Sequence, residues 1–123
     1  MATVAAVLVA IVAAIHVYIV ILEMVLWRTP RGLRAFGTDQ AFADSSATLA
    51  ANQGLYNGFL VAGLVWGLLA MDPVGFQVKL FFLGCVIVAG VFGAATVSRR
   101  ILVVQAIPAA LALIAVLLAG STA

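Results

Sequence analysis

Residues 2–22 run without a charge, and Thr3 and His16 are the exceptions to their apolar character. A run of this length fixes the environment before any other feature is weighed. About 20 apolar residues cross the hydrocarbon of a bilayer as a helix. Inside lipid the backbone satisfies its own N–H and C=O groups only as a helix or a closed barrel. Three more apolar stretches follow, near 48–71, 75–98 and 101–120, and the four nearly exhaust the 123 residues. Nothing is left for a soluble catalytic domain. Only 8% of the residues are charged and 67% are hydrophobic, whereas a soluble domain carries roughly 25% charged residues. Lipid must therefore be the solvent.

The expected fold is an all-α integral membrane protein: a four-transmembrane-helix bundle forming one domain over 1–123, with helices near 3–27, 48–71, 75–98 and 101–120. The first segment resembles a secretory signal in hydropathy alone. No Lys or Arg precedes it, and it exceeds the roughly 7–15 residues of a signal core, so it is expected to be retained. The link after it supports one or two short interfacial helices. Thr29 can cap and Pro30 suits a first helical turn; Thr38 or Asp39 can cap another. Asp72-Pro73 reads as a tight turn. Pro108 removes a backbone donor and predicts a kink. Small residues four apart, Gly54 with Gly58 and Gly63 with Gly67, predict close helix contacts. Cys85 is the single cysteine and reads as a small apolar filler.

The basic residues set an orientation. Arg28, Arg31, Arg34, Arg99 and Arg100 fall in the first and third links, and only Lys79 lies toward the opposite side. The positive-inside rule puts links one and three in the cytoplasm and both termini outward. No basic run is interleaved with aromatics, so no nucleic-acid partner is expected.

Against this apolar background one stretch stands out: Asn52-Gln53-Gly54-Leu55-Tyr56-Asn57-Gly58. His16, Glu23 and Gln105 are the other unusual polar residues of the spans. Counting about 1.5 Å per residue from the cytoplasmic boundary, Glu23, Asn52 and Gln105 lie roughly 6 Å inside, with His16 and Asn57 deeper. These seven are the candidate residues for binding or proton handling, expected to converge on one cavity. Laying helices 1 and 2 side by side sets Glu23 opposite Asn52 and Gln53. A carboxyl in lipid costs a few kcal/mol unless paired, hydrated or protonated, which suits a proton carrier or an acid/base group. The competing reading is structural. Asn and Gln often join helices in lipid, and Glu23 sits close enough to the boundary to reach water or pair with Arg28 or Arg31. A lone His without Cys or His at ligand spacing does not make a metal site, and no cofactor is expected. No phosphate loop, Gly-x-Ser-x-Gly, His-Glu-x-x-His or Cys-x-x-Cys is present.

His16-Val17-Tyr18, Leu22-Glu23-Met24, Leu26-Trp27, Thr29-Pro30-Arg31-Gly32, Phe36-Gly37, the Asn52–Gly58 stretch and the Gln105–Pro108 segment occur together. In this combination the chain resembles the small bacterial membrane protein family catalogued as domain of unknown function 1304. The resemblance covers nearly the whole chain and implies a bacterial membrane protein of about four spans. It implies no activity.

Three functions remain open. A binding or transport protein would use the polar cavity for a proton or a small polar or amphipathic molecule, and a homo-oligomer would thicken its path. A membrane enzyme of the isomerase or transferase class would use Glu23 or His16 as acid/base with Tyr56 as a donor. An accessory subunit would use the polar residues only for packing. The expected location is the bacterial inner membrane. Tags at either terminus should be cleaved by a protease added outside intact cells; protected tags would reverse the orientation.

Overall fold

The computed structural model describes residues 1–121, so the last two residues of the domain expected over 1–123 lie outside it. The described chain is helical throughout, with no strand. Its elements are α1 (Ala2–Met24), α2 (Pro30–Phe36), α3 (Gln40–Leu69), α4 (Val74–Thr96), α5 (Arg99–Ile101), a π turn (Leu102–Ala106) and α6 (Ile107–Ala119). Three stretches are long and apolar enough to cross a membrane: Ala2–Met24, Val74–Thr96 and Arg99–Ala119.

The expected second span is changed most. Asp39 Oδ1 accepts from the Phe42 N–H at 2.8 Å and caps α3 well before residue 48. No Gly or Pro interrupts the chain between 40 and 48, so the cap and the apolar segment fuse into one helix of 30 residues. This helix is not among the three stretches apolar enough to span, because Asn52, Gln53 and Asn57 lower its mean hydropathy. α1 stops at Met24 rather than Trp27, and the other boundaries agree with expectation to within two residues.

The chain divides into two compact units, Met1–Ile15 with the chain from Leu60 onward, and His16–Phe59. The first unit holds an apolar core with helical spacing. Ala5, Val9 and Val12 come from α1, Leu83 and Val86 from α4, and Ala109, Ala112 and Val116 from α6. Large apolar side chains such as Val4, Val7, Ile11, Phe81 and Leu118 point outward. That is the reverse of a helix in water, and it fits helices that are apolar all round. Lipid gives no hydrophobic drive between such helices, so small residues and close contact must supply the attraction.

Gly90 of α4 shows that contact: a Cβ there would stand 2.9 Å from the Ala106 nitrogen. Ala106 closes the π turn, where the Ile107 N–H reaches back to the Leu102 carbonyl. Pro108 follows directly. It cannot donate to the carbonyl four residues back and would crowd it, and the widened turn relieves that demand. The expected kink is thus a π turn. Gly63 lies on the Phe82 ring, and a Cβ on Gly67 would sit 2.6 Å from Lys79 Cγ. Gly90→Val should lower the apparent Tm in detergent, since overpacking a close contact costs about 1–3 kcal/mol. An unchanged Tm would show that the α4–α6 approach yields easily.

Candidate functional site

The second unit, His16–Phe59, holds six of the seven candidate residues. Its local structure follows from the turn after α1. The Val25 and Leu26 N–H groups both donate to the Ile21 carbonyl, at 2.9 and 3.0 Å, and end the helix. Thr29, held extended before Pro30 (φ −85°, ψ 163°), donates its hydroxyl to the Leu26 carbonyl at 2.7 Å. The same oxygen accepts from the Gly32 N–H at 3.4 Å. Thr29 therefore caps α2, with Pro30 in its first turn, as the sequence suggested. Gly37 closes α2 in the left-handed conformation (φ 66°).

Trp27 ties the end of α1 to α3. Its indole N–H donates to Ser46 Oγ at 3.1 Å, and Ser46 Oγ donates in turn to the Phe42 carbonyl at 2.6 Å. The Trp27 ring also leans on Phe36, with centroids 4.8 Å apart. Gln40 adds a further tie, donating to the Arg28 carbonyl at 3.2 Å. Arg31 reaches Tyr18 Oη at 3.5 Å rather than Glu23.

Gly54 then sets how closely the two helices approach. A Cβ there would overlap the Met24 side chain and lie 3.2 Å from Glu23 Cβ. One turn further along α3, Asn57 donates Nδ2–H to Glu23 Oε1 at 2.6 Å. Both side chains are buried, with 8% of Glu23 and 7% of Asn57 exposed. His16, two turns earlier on α1, is buried almost completely.

The partner of Glu23 differs from expectation. Matching depths from the helix ends put Asn52 and Gln53 beside it. The contact at Gly54 shifts the pairing by about one turn, to Asn57. Asn52, Gln53 and Tyr56 instead lie on an exposed face of α3. For Asn52 and Tyr56 the angular position explains this: they are stacked one turn apart, while 54 and 57 define a neighbouring stripe. Gln105, half-buried in the π turn, belongs to the other unit. The structure thus joins Glu23 to Asn57 and leaves Asn52, Gln53 and Tyr56 away from that pair.

Glu23 also borders a cleft of about 340 Å³, whose walls include Trp27, Arg28, Ala47, Thr48 and Ala51. Glu23, Arg28 and Thr48 give this lining its polar residues and Trp27 its aromatic one. That set can hold a small polar or amphipathic molecule by its head. Trp27, Arg28 and Thr48 were not expected as site residues. Arg28 and Trp27 lie past the end of α1, where periodicity carries no information, and Thr48 resembles an ordinary boundary residue. Among the described residues, no three His, Cys, Asp or Glu side chains gather to hold a metal ion.

These features define an all-helical membrane-type protein with a buried carboxyl–amide pair at the edge of a cleft. The chain belongs to the family described as Protein of unknown function (DUF1304), whose model matches residues 10–117. All seven candidate residues fall inside that match. No curated protein and no solved structure matches the chain.

The Glu23–Asn57 bond should be measurable by a double-mutant cycle of Glu23→Ala and Asn57→Ala. Side-chain hydrogen bonds between helices in lipid average roughly 0.6 kcal/mol and reach about 1.7. A short bond between buried partners should fall in the upper half of that range in an unfolding titration. Additive effects would show that the bond adds nothing.

Proposed function

We propose that this protein binds a small polar or amphipathic molecule, or carries a proton, at an intramembrane site built on Glu23. The observation that supports this reading is the buried Glu23 carboxyl, held by Asn57 on one oxygen and bordering the Trp27–Arg28–Thr48 cleft. A carboxyl kept only for packing would be better enclosed, because each unfilled acceptor site in a low-dielectric region costs free energy. The cleft lets water or a ligand head complete its hydrogen bonding. His16, on the same side of α1, extends the proton-active line deeper. Asn52, Gln53 and Tyr56 are retained as candidate contacts for a ligand or partner.

In this reading the chain is a single transmembrane domain of four helices, with α3 as the fourth span. Its location is the bacterial inner membrane with both termini outward, and it works as a homo-oligomer. A span by α3 is supported by its length of 30 residues, about 45 Å at 1.5 Å per residue. Its amides are less costly when they bond to other groups than when they face acyl chains. An isomerase- or transferase-like enzyme acting on a lipid-soluble substrate, or an accessory subunit, would use the same residues differently.

Sealed vesicles separate these readings. Purified protein reconstituted with an internal pH dye should pass protons or a co-transported amphipathic amine down a gradient. Glu23→Gln should reduce that flux at least tenfold while preserving the elution profile in detergent. A substrate altered without any gradient would favour catalysis. Loss of the folded protein in Glu23→Gln, with no flux in the wild type, would favour a packing role.

A further inference from the structure

The exposed face of α3 carries a regular repeat of its own, beside the buried stripe of Ala43, Ala50, Gly54 and Asn57. Phe42, Ser45, Leu49, Asn52, Tyr56 and Phe59 follow one another at intervals of three, four, three, four and three residues, and all six are exposed. This is the spacing of a left-handed helix–helix seam. Leu49 is 74% exposed, Tyr56 57% and Phe59 54%. The next position, Gly63, is covered by the Phe82 ring, so the seam ends at Phe59. Asn52 lies near its middle, and Gln53 flanks it. Among the described residues, the side chains of Asn52, Gln53 and Tyr56 form no hydrogen bond. Tyr56 stacks edge-on with Phe59, centroids 5.6 Å apart, so the two rings form one preset apolar step.

We infer that this seam is a self-association surface, on which α3 of one protomer pairs with α3 of a second copy in parallel. The argument rests on the reading above that α3 crosses the membrane. Copies inserted in one orientation meet in parallel, and a twofold axis along the membrane normal then sets each seam residue against its own copy. A carboxamide suits that position because it both donates and accepts. Asn52 facing Asn52 therefore completes a reciprocal hydrogen bond, which an exposed acidic or basic residue facing its like could not. Leu49, Tyr56 and Phe59 supply apolar contact on either side, and the amide fixes the register, as single polar residues do in paired helices. The buried stripe carrying Gly54 and Asn57 stays occupied by α1, so the seam does not compete with the Glu23 site.

Cysteine scanning in a Cys85→Ser background tests this with the full chain in native membranes. Single cysteines at Ser45, Leu49, Asn52 and Tyr56 should form disulfide-linked dimers on oxidation with copper phenanthroline. A cysteine at Leu55, also exposed but off the seam, should react at least fivefold less. Uniform reaction at all five positions, or none at the seam, would overturn the proposal. Four seam positions keep the result readable if one variant folds poorly. Labelling the same variants with a membrane-impermeant maleimide separates the two claims. Labelling at 52 and 56 with the seam pattern retained would overturn the α3 span alone. Protection from label without cross-linking would overturn the seam alone. Asn52→Ala should weaken the dimer about tenfold in bilayers by fluorescence energy transfer, the size expected for the two bonds of a reciprocal amide pair.

Discussion

Polar groups in lipid must find partners within the protein, and this requirement governs every level of the chain. It makes the backbone helical, because a helix satisfies its own N–H and C=O groups. It agrees with the side-chain caps at four helix starts. Thr29, Asp39, Asp72 and Ser98 each accept from a backbone N–H that its helix leaves open. It also explains why the helices meet through Gly54 and Gly90 rather than through large side chains. Where apolar contact is no better than contact with lipid, proximity itself must supply the attraction.

The same requirement gives the Glu23–Asn57 bond its place. A carboxyl near the end of α1 would be costly facing acyl chains and ordinary facing water. Here it does neither: Asn57 holds one oxygen at 2.6 Å, and the cleft beside Trp27 lies next to the group. The turn that makes this possible is local. The bonds of Val25 and Leu26 to the Ile21 carbonyl end α1, Thr29 starts α2, and the Trp27–Ser46 bond ties the end of α1 to α3 before Gly54 meets Met24. Each step is a short-range consequence of residues 24–54, so the geometry of the pair depends on the link as much as on the helices.

Much of this could be read in the sequence, for identifiable reasons. Unbroken apolar runs announced α1, α4 and the helix ending at Ala119, because the signal accumulates over twenty residues. Thr29-Pro30 and Asp39 announced the helix starts in the link, because caps need specific side chains at specific places. Gly54, Gly63 and Gly67 foretold close contacts, and Pro108 a distorted turn. The site was legible only in part. Glu23 and Asn57 stood out as polar residues in apolar surroundings, but counting depth from helix ends paired Glu23 with Asn52 and Gln53. That count assumes both helices start level. The early cap at Asp39 and the close approach at Gly54 set the register instead, and neither is visible as a depth. Trp27 and Arg28 lie in the turn after α1 and Thr48 lies within α3, so no single period could have collected them around the cleft.

α3 carries the remaining consequence. It is the least apolar of the long helices, and its polar residues fall on two stripes with different needs. The stripe of Gly54 and Asn57 is answered within the protomer by Met24 and Glu23. Among the described residues, the side chains of Asn52 and Tyr56 form no hydrogen bond within it. A helix so composed gains little from lipid alone, and its stability in a membrane would come from the partners on each stripe rather than from hydropathy. This accounts for a 30-residue helix that length permits to span yet composition alone does not nominate. It also orders assembly. The α1 contact, formed within one chain, has the advantage of high local concentration and comes first. Pairing along the outer stripe, as proposed above, would depend on a second chain and would follow, so the cleft at Glu23 does not depend on it.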